Sequence, residues 1–128
     1  MDARQAAAVA LGGALGALAR YALGHWATGP ARDGALPFPW MTLAINLVGS
    51  FALGWLLLGG AGDDWSAAAK AGFATGFLGA FTTLSTFSVE TTSLWQAGQR
   101  AAAAGYVAAT TIGGPLVAWL GGRLGSAL

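Results

Sequence analysis

Between Gln5 and Leu124 the chain passes through four long stretches with very little charge, and no other feature restricts its fold as much. They run over residues 5–27, 39–60, 66–96 and 99–124, and the second holds no charged residue at all. Each reaches the roughly 20 residues that a helix needs to cross the hydrocarbon core of a bilayer. Lipid cannot hydrogen-bond a bare backbone, so such runs predict helices, whose ladders close within one segment. Composition agrees: 55% of the 128 residues are hydrophobic and only 9% are charged, against about 25% charged in a soluble domain. So little polar surface cannot coat a water-soluble globule. We expect an all-α membrane protein, a single domain over residues 1–128 with four transmembrane helices.

The punctuation between the stretches fits this reading. Thr28-Gly29-Pro30-Ala31-Arg32-Asp33-Gly34 and Gly62-Asp63-Asp64 carry turn chemistry, with Pro37 close by. Trp26, Trp40, Trp65, Trp95 and Trp119 fall near the ends of the stretches, where aromatic belts sit. The first apolar run continues past Arg20 to about Ala27 and three comparable ones follow, so Ala17-Leu18-Ala19 is not expected to be a leader-cleavage site. The lack of cysteine excludes disulfides and thiol chemistry, and a net charge of +1 gives no case for nucleic acid. No paired nucleophile and base and no nucleotide-binding loop are present, so a non-enzyme is expected.

Charge also bears on orientation. Four spans place Arg4, Lys70 and Arg123 on one side, and Arg32 and Arg100 on the other with Arg20 leaning that way. Three against two or three sets no preferred direction of insertion. Copies inserting both ways can form an antiparallel homodimer with a two-fold axis in the membrane plane.

The polar residues inside the stretches then need a reason. Thr82, Thr83, Ser85, Thr86 and Ser88 place five hydroxyls in seven residues of the third stretch. At such depth they should face a partner helix, an ion or a water-filled path. Gly79 followed by Thr82 and Thr83 is a weak helix sequence, so the third helix should break at mid-membrane. A break there is tolerated where its carbonyls are buried in protein or hold an ion, and oxygen ligands without a carboxylate suit a small monovalent cation, sodium above all. Asn46, with Thr42 and Ser50 four residues to either side, forms a polar stripe on the second helix, for helix cross-linking or for donation to an anion. Tyr106 and Thr110 share a face of the fourth, as donors along a track or as partners of a backbone carbonyl. Arg20 snorkels and is hydrogen-bonded, or lends an aqueous mouth positive charge. Glu90 caps, binds a cation or senses protons. The recurring Gly12, Gly16 and Gly24, and Gly72, Gly76 and Gly79, are close-packing stripes.

Three motifs occur in order: Gly16-Ala17-Leu18-Ala19-Arg20-Tyr21, Thr42-Leu43-Ala44-Ile45-Asn46-Leu47-Val48-Gly49-Ser50-Phe51, and Gly76-Phe77-Leu78-Gly79-Ala80-Phe81-Thr82-Thr83-Leu84-Ser85-Thr86-Phe87-Ser88-Val89-Glu90. Together they resemble the Fluc (CrcB) fluoride channels over nearly the whole chain. The resemblance implies an antiparallel dual-topology homodimer in the inner (plasma) membrane, with two fluoride pores and a structural sodium ion (Na+) at its centre. Carbonyls of Gly79 and Thr82 would hold the sodium. Asn46 and Phe87 would line the fluoride path, with Ser85, Thr86, Tyr106 and Thr110 as its hydroxyl track. Glu90 would stand by a vestibule and Arg20 at a pore mouth. Leu84 departs from the family pattern, which places a phenylalanine there, and Met41 stands where glycine is common. The rival expectation is a small dual-topology proton-coupled exporter of organic cations, for which Glu90 is the sole intramembrane acid; a subunit that transports nothing is a second.

Overall fold

The computed structural model describes residues 2–27 and 34–127. The turn expected around Pro30 and Arg32 lies outside them. All regular structure among the described residues is helical. Helix α1 (Ala3–Ala27) opens on a reciprocal cap: Asp2 Oδ1 accepts from the Gln5 N–H at 2.8 Å, and Gln5 Oε1 accepts from the Asp2 N–H at 3.1 Å. Helix α2 (Trp40–Leu57) starts directly after Pro39, whose missing N–H a helix start does not need.

The third stretch is built differently. It enters α3 (Ala67–Ala71), capped by Ser66 Oγ on the Ala69 N–H, and widens into a π-helix over Gly72–Leu78. It narrows again as α4 (Gly79–Phe81) and then leaves helical geometry. Thr82 (φ −80°, ψ 159°) and Thr83 (φ −153°, ψ 118°) are extended. Helix α5 (Leu84–Gln96) follows, and α6 (Arg100–Gly125) closes the fold. Of these, α1, α2 and α6 are each long and apolar enough to cross a membrane. The stretch expected as one span over 66–96 is therefore two helical pieces joined at Thr82–Thr83, and the π-helix had no counterpart in the sequence reading.

Two close pairings organise the bundle: α2 against α6, and α1 against the π-helix. Small residues make both possible. A Cβ at Gly16 would collide with the Phe77 carbonyl oxygen, and one at Gly54 with that of Ala118. Such backbone approach is how helices gain contact in lipid, where burial of apolar surface drives nothing. Leu43, Leu94, Ala103 and Tyr106 form the buried core between α2, α5 and α6, with Phe38, Leu47 and Phe87 packed on it. Outward, Leu11, Leu15, Leu18, Ile112 and Leu116 are exposed, as are Trp26, Trp40, Trp95 and Trp119. A surface that apolar suits acyl chains, not water.

The α5–α6 turn ends its helix in a defined way. The Gln99 N–H returns to the Leu94 carbonyl and the Gly98 N–H to that of Trp95, with Gly98 at φ 78°. This is the Schellman closure, whose left-handed position glycine fills without strain.

Candidate functional site

Asn46 explains how the chain breaks at Thr82–Thr83 without leaving its backbone bare. Its side-chain amide pairs with the Thr83 peptide unit: Oδ1 accepts from the Thr83 N–H at 2.8 Å and Nδ2 donates to the Thr83 carbonyl at 3.2 Å. In a continuous helix the Thr83 N–H would serve the Gly79 carbonyl. That carbonyl is thus released from the ladder. The next one, on Ala80, accepts from Arg20 Nε at 3.1 Å. Restarting the helix falls to Thr83, whose Oγ1 accepts from the Thr86 N–H at 3.2 Å as an N-cap. Thr82 Oγ1 donates back to the Leu78 carbonyl at 3.0 Å.

Around this break lies an open cavity of ≈ 300 Å³. Asn46, Gly79, Thr82, Phe87 and Thr110, all singled out from sequence, line it together with Leu84. Thr110 Oγ1 is buried and has no hydrogen-bond partner. An unpaired buried hydroxyl is costly and rare, and at the wall of a cavity it is a donor still available. Leu84 is 75% exposed, so the aliphatic replacement sits at an open edge of the cavity and not in the core.

Glu90 belongs to a second hollow of ≈ 930 Å³, bounded by Thr42, Phe38, Trp40 and Ser93 among others. Both of its carboxylate oxygens are engaged: Oε1 accepts from Thr42 Oγ1 at 2.8 Å, and Oε2 from the Tyr106 hydroxyl at 2.7 Å. Tyr106 thus donates, through its hydroxyl, to a carboxylate on α5. Its ring meets Phe87 edge-on, centroids 5.0 Å apart at 66°, and so ties the two hollows together. Thr86 Oγ1 accepts from Thr83 Oγ1 at 3.0 Å, and Ser85 Oγ lies 3.2 Å from that same hydroxyl. Neither Ser85 nor Thr86 lines the cavity; Thr83 does. Arg20 lies at the broken end of α4, where it holds the Ala80 carbonyl.

Oxygen donors for a cation are at hand. The released Gly79 carbonyl and the residues around it supply neutral hard oxygen, and the described residues contain no cluster of three or more His, Cys, Asp or Glu. Such a set fits a monovalent hard ion better than a transition metal.

Two contributions were missed from sequence. Thr83 was noted only as one hydroxyl among five, whereas its backbone is what Asn46 grips. Phe38, on the loop before α2, packs against Tyr106 at 5.5 Å and 71°. Nothing in the local sequence marks either role, because each depends on a residue dozens of positions away.

Among the described residues, three helices long and apolar enough to span a bilayer, with apolar outer faces and one buried, unpaired hydroxyl at the wall of a cavity, define a multi-pass membrane protein. The family model described as "CrcB-like protein, Camphor Resistance (CrcB)" matches residues 7–122, and the chain belongs to that family. It is similar to the protein named fluoride-specific ion channel FluC 1 of Geobacillus kaustophilus, with 48% identity over 117 residues, 91% of this chain and 94% of the relative. Proteins named fluoride-specific ion channel FluC from Thermus thermophilus (46% over 120 residues, covering 94% and 92%) and Acidobacterium capsulatum (45% over 119 residues, covering 92% and 93%) are similarly close.

Proposed function

We propose that this chain is a fluoride-selective channel that lets fluoride leave the cell passively, working as an antiparallel homodimer with two pores and a structural sodium ion between the protomers. The observation that carries the reading is the partnerless Thr110 hydroxyl at the wall of a cavity shared with Asn46 and Phe87. Fluoride is small and strongly hydrated. Compact neutral donors can replace its water without the fixed positive charge that would trap it. The Thr110 O–H, the second N–H of Asn46 and the partly positive edge of Phe87 are donors of that kind. The names of the similar proteins support the same substrate.

The second protomer belongs to the proposal because Asn46 takes the Thr83 N–H that a continuous helix would give to the Gly79 carbonyl. With the break at the bilayer midplane, Gly79 and Thr82 carbonyls of two copies about a two-fold axis would hold sodium between them. The ion would supply positive charge to oxygen that lipid cannot solvate. Passage needs no energy source beyond the membrane potential, about 2.3 kcal/mol per charge for each 100 mV. Glu90 would stand in the vestibule, its carboxylate held by Thr42 and Tyr106. A carboxylate so engaged is poorly placed to carry protons for an exporter. The inner (plasma) membrane is the setting in which such a pore would relieve a cell of fluoride.

Fluoride and chloride efflux from liposomes carrying the purified chain, with sodium and with sodium replaced by a bulky organic cation, tests the reading. Fluoride should leave while chloride is retained, and activity should fall when sodium is withdrawn. Equal loss of both anions, or no fluoride flux, would refute it.

A further inference from the structure

We propose that Gln99 and Phe38, which lie outside the polar path, are positioning residues for it: a side-chain clamp at the α5–α6 turn fixes the ring that holds Tyr106. The inference rests on the fluoride-channel reading above. Gln99 reaches from its turn to the loop before α2 and pairs with the Leu36 peptide unit twice. Its Oε1 accepts from the Leu36 N–H at 2.8 Å, and its Nε2 donates to the Leu36 carbonyl at 3.0 Å. Two bonds from one planar amide fix orientation as well as distance. Phe38 is only two residues further along, between Pro37 and Pro39. Proline locks its own φ and restricts the residue before it, so this loop has little freedom once Leu36 is held. The Trp40 N–H adds a bond to the Phe38 carbonyl at 2.8 Å.

From Phe38 the contacts continue inward without a gap. Its ring lies 4.4 Å from Trp40 and 5.5 Å from Tyr106, the latter edge-to-face at 71°. Tyr106 is fully buried, meets Phe87 at 5.0 Å and donates to Glu90 at 2.7 Å. Phe38 also borders the ≈ 930 Å³ hollow, so it is the ring between that open volume and Tyr106. Releasing the clamp lets Phe38 withdraw toward the hollow and frees one side of Tyr106. The edge of Phe87 and the carboxylate of Glu90 then lose their common support. A loosened site should discriminate poorly between anions before it stops conducting, because selectivity depends on a fixed arrangement of donors.

The chain has two tyrosines, Tyr21 and Tyr106, so Tyr21→Phe leaves Tyr106 as its single tyrosine signal. In that background, Gln99→Ala, Gln99→Glu, Phe38→Leu and the double variant Phe38→Leu/Gln99→Ala are reconstituted as full chains. Fluoride and chloride efflux are measured beside the ring resonances of labelled tyrosine. Gln99→Ala should shift the Tyr106 signal and lower the fluoride-to-chloride ratio by about fivefold or more. Gln99→Glu keeps the acceptor for the Leu36 N–H and should fall between wild type and alanine. The double variant should be no worse than Phe38→Leu alone, since both changes release one ring. An unmoved Tyr106 signal in Gln99→Ala, or ratios that fall independently and additively, overturns the proposal. Should Gln99→Ala not fold, Gln99→Glu decides by the same two readouts. Should wild type pass no fluoride, the channel reading fails and the tyrosine signal alone judges the clamp.

Discussion

Asn46 and Thr110 make opposite demands on a substitution, which separates structure from transport. Asn46→Asp keeps the acceptor for the Thr83 N–H but replaces the donor to the Thr83 carbonyl with oxygen, at a present distance of 3.2 Å. Two facing acceptors cost roughly 1–3 kcal/mol, more with a full charge. Stability in detergent should drop and fluoride efflux fall at least tenfold, read by thermal unfolding and by liposome flux. Thr110→Val removes a buried hydroxyl that has no partner, at nearly the same volume. Nothing is lost to the fold, and relief of an unpaired group contributes about 1 kcal/mol or less in its favour. The expected result is unchanged or higher thermal stability together with a marked loss of fluoride flux. A variant that conducts as wild type would show that this hydroxyl only fills space.

At the scale of elements, the α1–π-helix contact leaves no space for a side chain at several of its glycines. Gly16 faces the Phe77 carbonyl with no room for a Cβ, so Gly16→Val forces the two backbones apart. Overpacking of this kind costs about 1–3 kcal/mol, more where backbone is the obstacle. Since α4 continues directly from the π-helix, the displacement should reach the Arg20–Ala80 bond and lower both yield of folded protein and flux; Gly24→Ala, which meets nothing within 4 Å, should be tolerated. Size-exclusion profiles and efflux compare the two. Helices of this kind are legible in sequence as unbroken apolar length, and Gly79, Thr82 and Thr83 located the weak point because glycine and β-branched residues mark it. The π-helix was not legible: an apolar run carries no polar face from which its period can be read. The Thr42–Glu90–Tyr106 bonds were hidden for another reason. They join residues 48 and 16 positions apart, and only tertiary packing brings them together.

For the whole molecule, the exposed hydroxyls of α5 are a poor argument for a second protomer, and the break is a better one. Ser88 donates to the Leu84 carbonyl and Thr92 to the Ser88 carbonyl, both at 2.9 Å, so these groups can face lipid. The Gly79 carbonyl has lost its helical donor, and if the break lies in the hydrocarbon core, as proposed, a group left unpaired there costs several kcal/mol. Two oppositely inserted copies that meet there need a chain with no preferred orientation. The charge distribution allows this: four spans would place Arg4, Lys70 and Arg123 on one side, and Arg32 and Arg100 on the other with Arg20 leaning that way. Such a balance can be tipped. Lysines at Ser126 and Ala127 should commit the terminal side to the cytoplasm, and lysines at Gln96 and Ala97 the opposite side. Each charge-biased variant expressed alone should insert one way and give vesicles without fluoride flux. Expressed together they should restore it, because each supplies the orientation the other lacks. If either variant alone conducts like wild type while inserted in a single direction, parallel copies or a lone protomer suffice and the antiparallel assembly is wrong.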